Sequence, residues 1–162
     1  MSTYQLQLGI CHEVQDRGAR WIVILVYPDG HPCMLYSCTG GPHTGDAPYA
    51  REKAQKPTCF PGLFAERRTI GTVQEDNLDS FNQVFELTEP GPNQFFVVRF
   101  LYECVKRGIV EDAKVLDVLS KAEYTAVEWE HFHENYAPVD LDFLTGFELA
   151  REIGPVPKRR KL

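Results

Sequence analysis

The run Trp21-Ile22-Val23-Ile24-Leu25-Val26-Tyr27 (WIVILVY) decides the fold class of this chain. It shows no alternation between apolar and polar positions, so it suits a strand covered on both faces. Pro28-Asp29-Gly30 supplies a turn, and Pro32 to Cys38 (with CMLYSC at 33–38) returns as a second strand, which predicts a hairpin at the centre of a sheet. Upstream, Tyr4, Leu6, Leu8 and Ile10 alternate with polar residues and predict a strand with one buried face. Downstream, Arg67 to Val73 (RRTIGTV) predicts one more short strand. Between them, Thr39 to Gly62 is rich in Gly and Pro and lacks periodicity, so it reads as a long surface loop.

Near residue 75 the apolar spacing changes from two to three or four. Asp76 or Asn77 can cap a helix that carries Leu78, Phe81, Val84 and Phe85 on one side and stops by Pro90-Gly91-Pro92. A second helix starts at Asn93, places Phe96, Val97, Phe100, Leu101 and Cys104 on one face and ends at Gly108. It is the most apolar helix, and burial is expected. Further helical segments are expected at Val115 to Leu119, Thr125 to Asn135 and Phe143 to Ile153. Strands first and helices second predict an α+β domain over 1–153, a mostly antiparallel sheet packed against helices, followed by a basic tail over 154–162.

Composition bounds the function. The 162 residues are 43% hydrophobic and 12% aromatic, enough for a core without disulfide or metal staples. A net charge of −6 repels phosphate backbones and anionic lipid, which argues against a nucleic-acid or membrane-surface partner. Five irregularly spaced cysteines, no N-x-Ser/Thr acceptor, no secretory leader and no bilayer-length apolar run fit a reduced, intracellular setting. The expected location is cytoplasmic, or nuclear if PKRRKL (157–162) serves as an import signal. A basic tail also stands against an acidic body, because Glu111 to Asp142 holds nine acids and two lysines.

Candidate chemistry is sparse. Cys11-His12 and His31 with Cys33 lack the C-x-x-C spacing of a zinc site. His131 and His133 stand two apart, about 200° around a helix, and do not converge on one ion. No metal and no cofactor is expected. The glycine-rich SCTGGPHTGD (37–46) lacks the Lys-Ser/Thr ending of a phosphate loop. The most informative stretch is EPGPNQFFVVRFLYECVKRGIV (89–110), because Asn93 and Gln94 open a buried helix. That positive end of a helix dipole stabilises a thiolate or a bound anion. The plainer reading is that Asn93 caps the helix.

The order of a Trp-led apolar strand, a return strand carrying Leu35-Tyr36, an Arg67-x-x-Ile-Gly-x-Val segment, a capped helix and then a helix opening on a polar triplet resembles circularly permuted papain-like domains. A fungal branch of that group is the most similar. The likeness spans about residues 20 to 110. It implies a His just before the Trp of the first core strand and a nucleophilic Cys opening the later helix, followed by Gln and, three positions on, an aromatic residue. In this chain the aromatic is Phe96 and the Gln is Gln94, but the Cys position holds Asn93 and the His position holds Arg20. A carboxamide forms no thiolate intermediate and a guanidinium is no base near neutral pH, so thiol hydrolysis through that site is expected to be absent.

Three functions follow from the resemblance. The first is a pseudoenzyme or binding module that holds a small molecule or peptide in the ancestral cleft, lined by Trp21, Tyr36, Cys38, Gln94 and Phe96. The second is a non-covalent cyclase or isomerase in biosynthesis using Arg20 and Asn93 to stabilise developing charge. The third is a cysteine hydrolase or acyltransferase working through Cys38 or Cys11. The proposed ancestry and both cleft roles require Arg20 to face Asn93, whereas a cleft filled by Trp21 and Phe96 would point to a surface-interaction protein.

Overall fold

The alternating stretch near the start forms β1 (Thr3–Cys11), and the apolar run forms β2 (Trp21–Val26), all six of whose residues are buried. These come from a computed structural model, which describes residues 2–12, 19–30, 32–41, 47–57, 62, 64–111, 115, 123–125 and 158–160. The hairpin partner is β3 (Cys33–Gly41), followed by β4 (Ala47–Lys56) and β5 (Phe64–Gln74). A short 3-10 turn (Glu75–Asn77) leads into α1 (Leu78–Leu87), then α2 (Asn93–Lys106) and β6 (Val110–Glu111). The sheet order is β4-β3-β2-β1-β5-β6, and every pairing in it is antiparallel. The architecture is α+β, with strands first and helices after.

Alternation assigns each strand residue to a face. Leu6, Leu8, Trp21, Val23, Leu25, Tyr36 and Cys38 point to the helices and join the main core. Ile22, Ile24, Val26, Cys33 and Phe64 form a second, smaller cluster on the other face. Gly9 makes room there: a methyl group at that position would run into the Phe64 ring. The main core centres on aromatic edges, with Tyr36 at 5.2 Å from Phe81 and Phe85 at 5.5 Å from Phe100. Each such pair adds about 0.5–1.5 kcal/mol beyond area burial. Helix α2 is buried along almost its whole length, as its composition predicts.

Several sequence expectations are corrected. The stretch 39–62 is not one loop, since β3 runs on to Gly41 and β4 occupies ten of its residues. As an edge strand exposed along most of its length, β4 carries no apolar alternation to betray it. At the β3–β4 irregularity Gly40 has φ +103°, and a side chain there would meet the Pro48 carbonyl. Asn77 stands at the start of α1 but makes no side-chain capping bond. Val115 is buried in the main core, whereas the rest of 115–119 and all of 143–153 lie outside the described residues. Thr125 is not helical but ends β7 (Glu123–Thr125), and 126–135 lies outside the described residues. The basic tail contributes β8 (Lys158–Arg160), which pairs with β7 in parallel.

Candidate functional site

The residues nominated from the sequence meet where α2 begins. In β2 and β3 the ladder runs from Val26↔Cys33 to Val23↔Tyr36, and continuing that register would set Trp21 opposite Cys38. The Asn93 carboxamide lies between these two residues. Its Oδ1 accepts from the Trp21 backbone N–H at 2.6 Å, and its Nδ2 donates to the carbonyls of Trp21 at 3.0 Å and Cys38 at 3.1 Å. A side chain thus replaces a rung of the sheet and ties the first turn of α2 to two strands. The helix N-cap is Pro92, not Asn93, and no side chain caps it. The capping expectation for Asn93 is therefore replaced by a different structural role.

Gln94 extends the joint. Its Nε2 donates to the Ala19 carbonyl at 2.7 Å, just before β2. Both polar residues at the helix start therefore bind the chain entering the Trp strand. Their amide groups satisfy backbone that the splayed ladder would leave without partners, which is costly when buried.

Arg20 does not join them. Its guanidinium donates to Ser37 Oγ at 2.9 Å and to Glu52 Oε2 at 3.0 Å. Ser37 lies between Tyr36 and Cys38, which both face the helices, so alternation puts it on the opposite face of the sheet. Glu52 pairs with Ser37 across the β3–β4 ladder and shares that face. Thr39 Oγ1 also donates to Glu52. Position 20 is one peptide from the Asn93 joint, yet its charge is carried to the far side of the sheet.

The other nominated residues are core groups. Trp21 is 4% exposed, and Phe96 and Cys38 are fully buried. The Tyr36 ring packs among Phe81, Phe85 and Phe100, while its hydroxyl donates to Asn82 Oδ1 at 2.8 Å. Burial pushes the Cys38 thiol upward, against smaller opposing effects from backbone hydrogen bonds and Arg51. Burial likewise raises Cys11, with Arg20 opposing it. Both shifts favour the unreactive thiol. Among the described residues no group of three or more His, Cys, Asp or Glu side chains could hold a metal ion, and no helix is long and apolar enough to cross a membrane.

The sequence reading missed what the two amides bind. Nothing in the sequence shows that the β2–β3 ladder stops at Val23, so the carboxamide's role as a rung had no local signal. Compared with known proteins, the chain matches no family model, no curated protein and no solved structure.

Proposed function

We propose that the chain is a non-catalytic surface-interaction protein in which the start of the buried helix α2 serves as a structural joint. One observation carries this reading: all three hydrogen bonds of the Asn93 carboxamide go to the protein's own backbone. A group so engaged has no donor left to polarise a substrate. The burial of Trp21, Tyr36, Cys38 and Phe96 supports the same reading, since the expected cleft walls are packed into the core. The module acts inside the cell, in cytoplasm or nucleus, and binds a small molecule or peptide through surface groups rather than in an open catalytic cleft. The cyclase reading gains no support from the geometry, because Arg20 and Asn93 work on opposite faces of the sheet. The hydrolase reading gains none from the raised Cys38 and Cys11 thiols.

The test treats the purified full chain with a mild thiol electrophile near neutral pH and follows each cysteine by mass spectrometry. No cysteine should react faster than the same residue in the urea-unfolded chain. A single hyper-reactive thiol, or acyl-enzyme formation with an activated ester, would overturn the reading. Its positive half is saturable association of a small molecule or peptide that is recovered chemically unchanged after hours of incubation.

A further inference from the structure

Among the described residues the outer edge of β4 pairs with no strand, and two backbone contacts fix which of its groups face outward. The Tyr27 N–H donates to the Pro32 carbonyl at 3.1 Å, so the odd residues of β2 and the even residues of β3 bond to each other. The Cys11 N–H on the Arg20 carbonyl at 2.9 Å gives the same alternation, since it turns the even residues of β2 toward β1. The odd residues of β3 therefore bond to β4, where the register sets Thr39, Ser37 and Leu35 against Ala50, Glu52 and Ala54. Arg51, Lys53 and Gln55 are left with N–H and C=O groups that point away from the sheet.

The same three residues lie opposite Cys38, Tyr36 and Met34, so their side chains rise on the helix side of the edge. Two of them are cations, and neither has a carboxylate within hydrogen-bond distance among the described residues. Lys53 Nζ meets Asn82 Oδ1 and the Tyr36 ring, both uncharged, while Arg51 approaches the exposed Glu86 carboxylate at 3.9 Å. Every position from Ala50 to Gln55 is exposed. A strand added antiparallel to this edge sets the residues that bond to Lys53 and Arg51 directly beside the two cations, about 5.5 Å away between Cα atoms. A second copy suits the edge poorly. Its β4 also turns odd residues outward, so the central registers place Arg51 against Lys53, or either against itself, with like charges opposed.

We infer that the β4 edge takes up an acidic peptide segment as an added antiparallel strand, with carboxylates at two alternate positions beside Lys53 and Arg51. The inference deepens the surface-interaction reading and rests on it. The outward N–H and C=O groups supply the affinity, and the two cations select the sequence. Between the two acids the peptide presents one residue to the far face, beside Glu52. Arg20 already holds the Glu52 carboxylate, so an uncharged residue fits there.

The experiment titrates the full chain with a short synthetic peptide of alternating glutamate and valine and follows backbone amides by NMR hydrogen exchange. In the free chain the amides of Glu52 and Ala54 should exchange slowly and those of Arg51, Lys53 and Gln55 fast. At saturation these last three should become protected. Lys53→Glu should weaken binding about fivefold, and a peptide with lysine in place of glutamate should bind the wild-type chain more weakly by a similar factor. N-methylating the glutamate amides keeps every charge and removes the peptide's donors to β4, so binding should be lost. Failure of the glutamate peptide to bind, equal binding of the lysine peptide, or undiminished binding of the N-methylated one would overturn the proposal. Protection of the Lys53 amide that grows with protein concentration in the absence of peptide would reveal a second copy on the edge and overturn it too. Thiol labelling does not involve β4, so failure of the surface-interaction reading and failure of the edge are told apart.

Discussion

At residue 93 a single carboxamide performs work normally done by strand backbone. Its acceptor matches the Trp21 N–H and its donors match two carbonyls, a combination that only an amide side chain supplies. Replacing Asn93 by Ala should cost about 2–4 kcal/mol, because three bonds vanish and the backbone partners stay buried. Urea unfolding, compared through midpoint and slope, measures this. Asn93→Asp has a sharper signature. It keeps an acceptor for Trp21 N–H but turns a carboxylate oxygen toward two carbonyls, which favours the protonated acid in the folded state. The folded pKa then exceeds the unfolded one, so this variant's stability relative to wild type is highest at low pH and falls as pH rises through the folded value. Unfolding midpoints at about pH 4.5 and about pH 7 should show the Asp variant closer to wild type at the lower pH.

Among the elements, β4 shows how an exposed edge is held. Lys53 Nζ donates to Asn82 Oδ1 at 2.7 Å and sits over the Tyr36 ring, joining the edge strand to α1 and to the aromatic core. Arg51 donates to the Thr88 carbonyl at 2.9 Å, where the C-terminal end of α1 favours a cation. Lys53, Arg51 and Pro48 also guard the edge against pairing with another sheet. A double-mutant cycle of Lys53→Ala and Asn82→Ala should give a coupling of about 0.5–1.5 kcal/mol in unfolding free energy. Additivity of the two single changes would show that the contact does not hold the edge to the helix.

For the whole molecule, the buried thiols and the phenol make stability depend on alkaline pH. Burial raises Cys38 and Cys104 above their ordinary value of 9.0 and Tyr36 above its ordinary 10.0. Unfolded, these groups ionise at their ordinary values; folded, they hold their protons to higher pH. The native state then binds more protons, and the stability these groups contribute is complete below about pH 9 and declines as pH rises. Each group adds a slope of about 1.4 kcal/mol per pH unit within its window. Cys104→Ala should flatten the decline of urea midpoints above pH 9 whatever its effect on stability near pH 7. An unchanged slope would mean that the thiol ionises equally well in the folded chain.

The parts read correctly from sequence are those in which burial leaves a periodic trace. β1, β2, α1 and α2 each carry an apolar pattern matched to their geometry, so the α+β class and the core aromatics were legible from neighbouring residues alone. The pattern failed for β4 and β8, whose strand state comes from backbone pairing with partners distant in the chain. The candidate site divided in the same way. Sequence order singled out Arg20 and Asn93, but the roles of their side chains were set only by tertiary structure. Strand alternation sends the guanidinium to Ser37 and Glu52, while the end of the β2–β3 ladder draws the carboxamide in between Trp21 and Cys38. Hydrophobic periodicity is a local property of the chain, whereas the partner of a polar side chain depends on which strands have stopped pairing beside it.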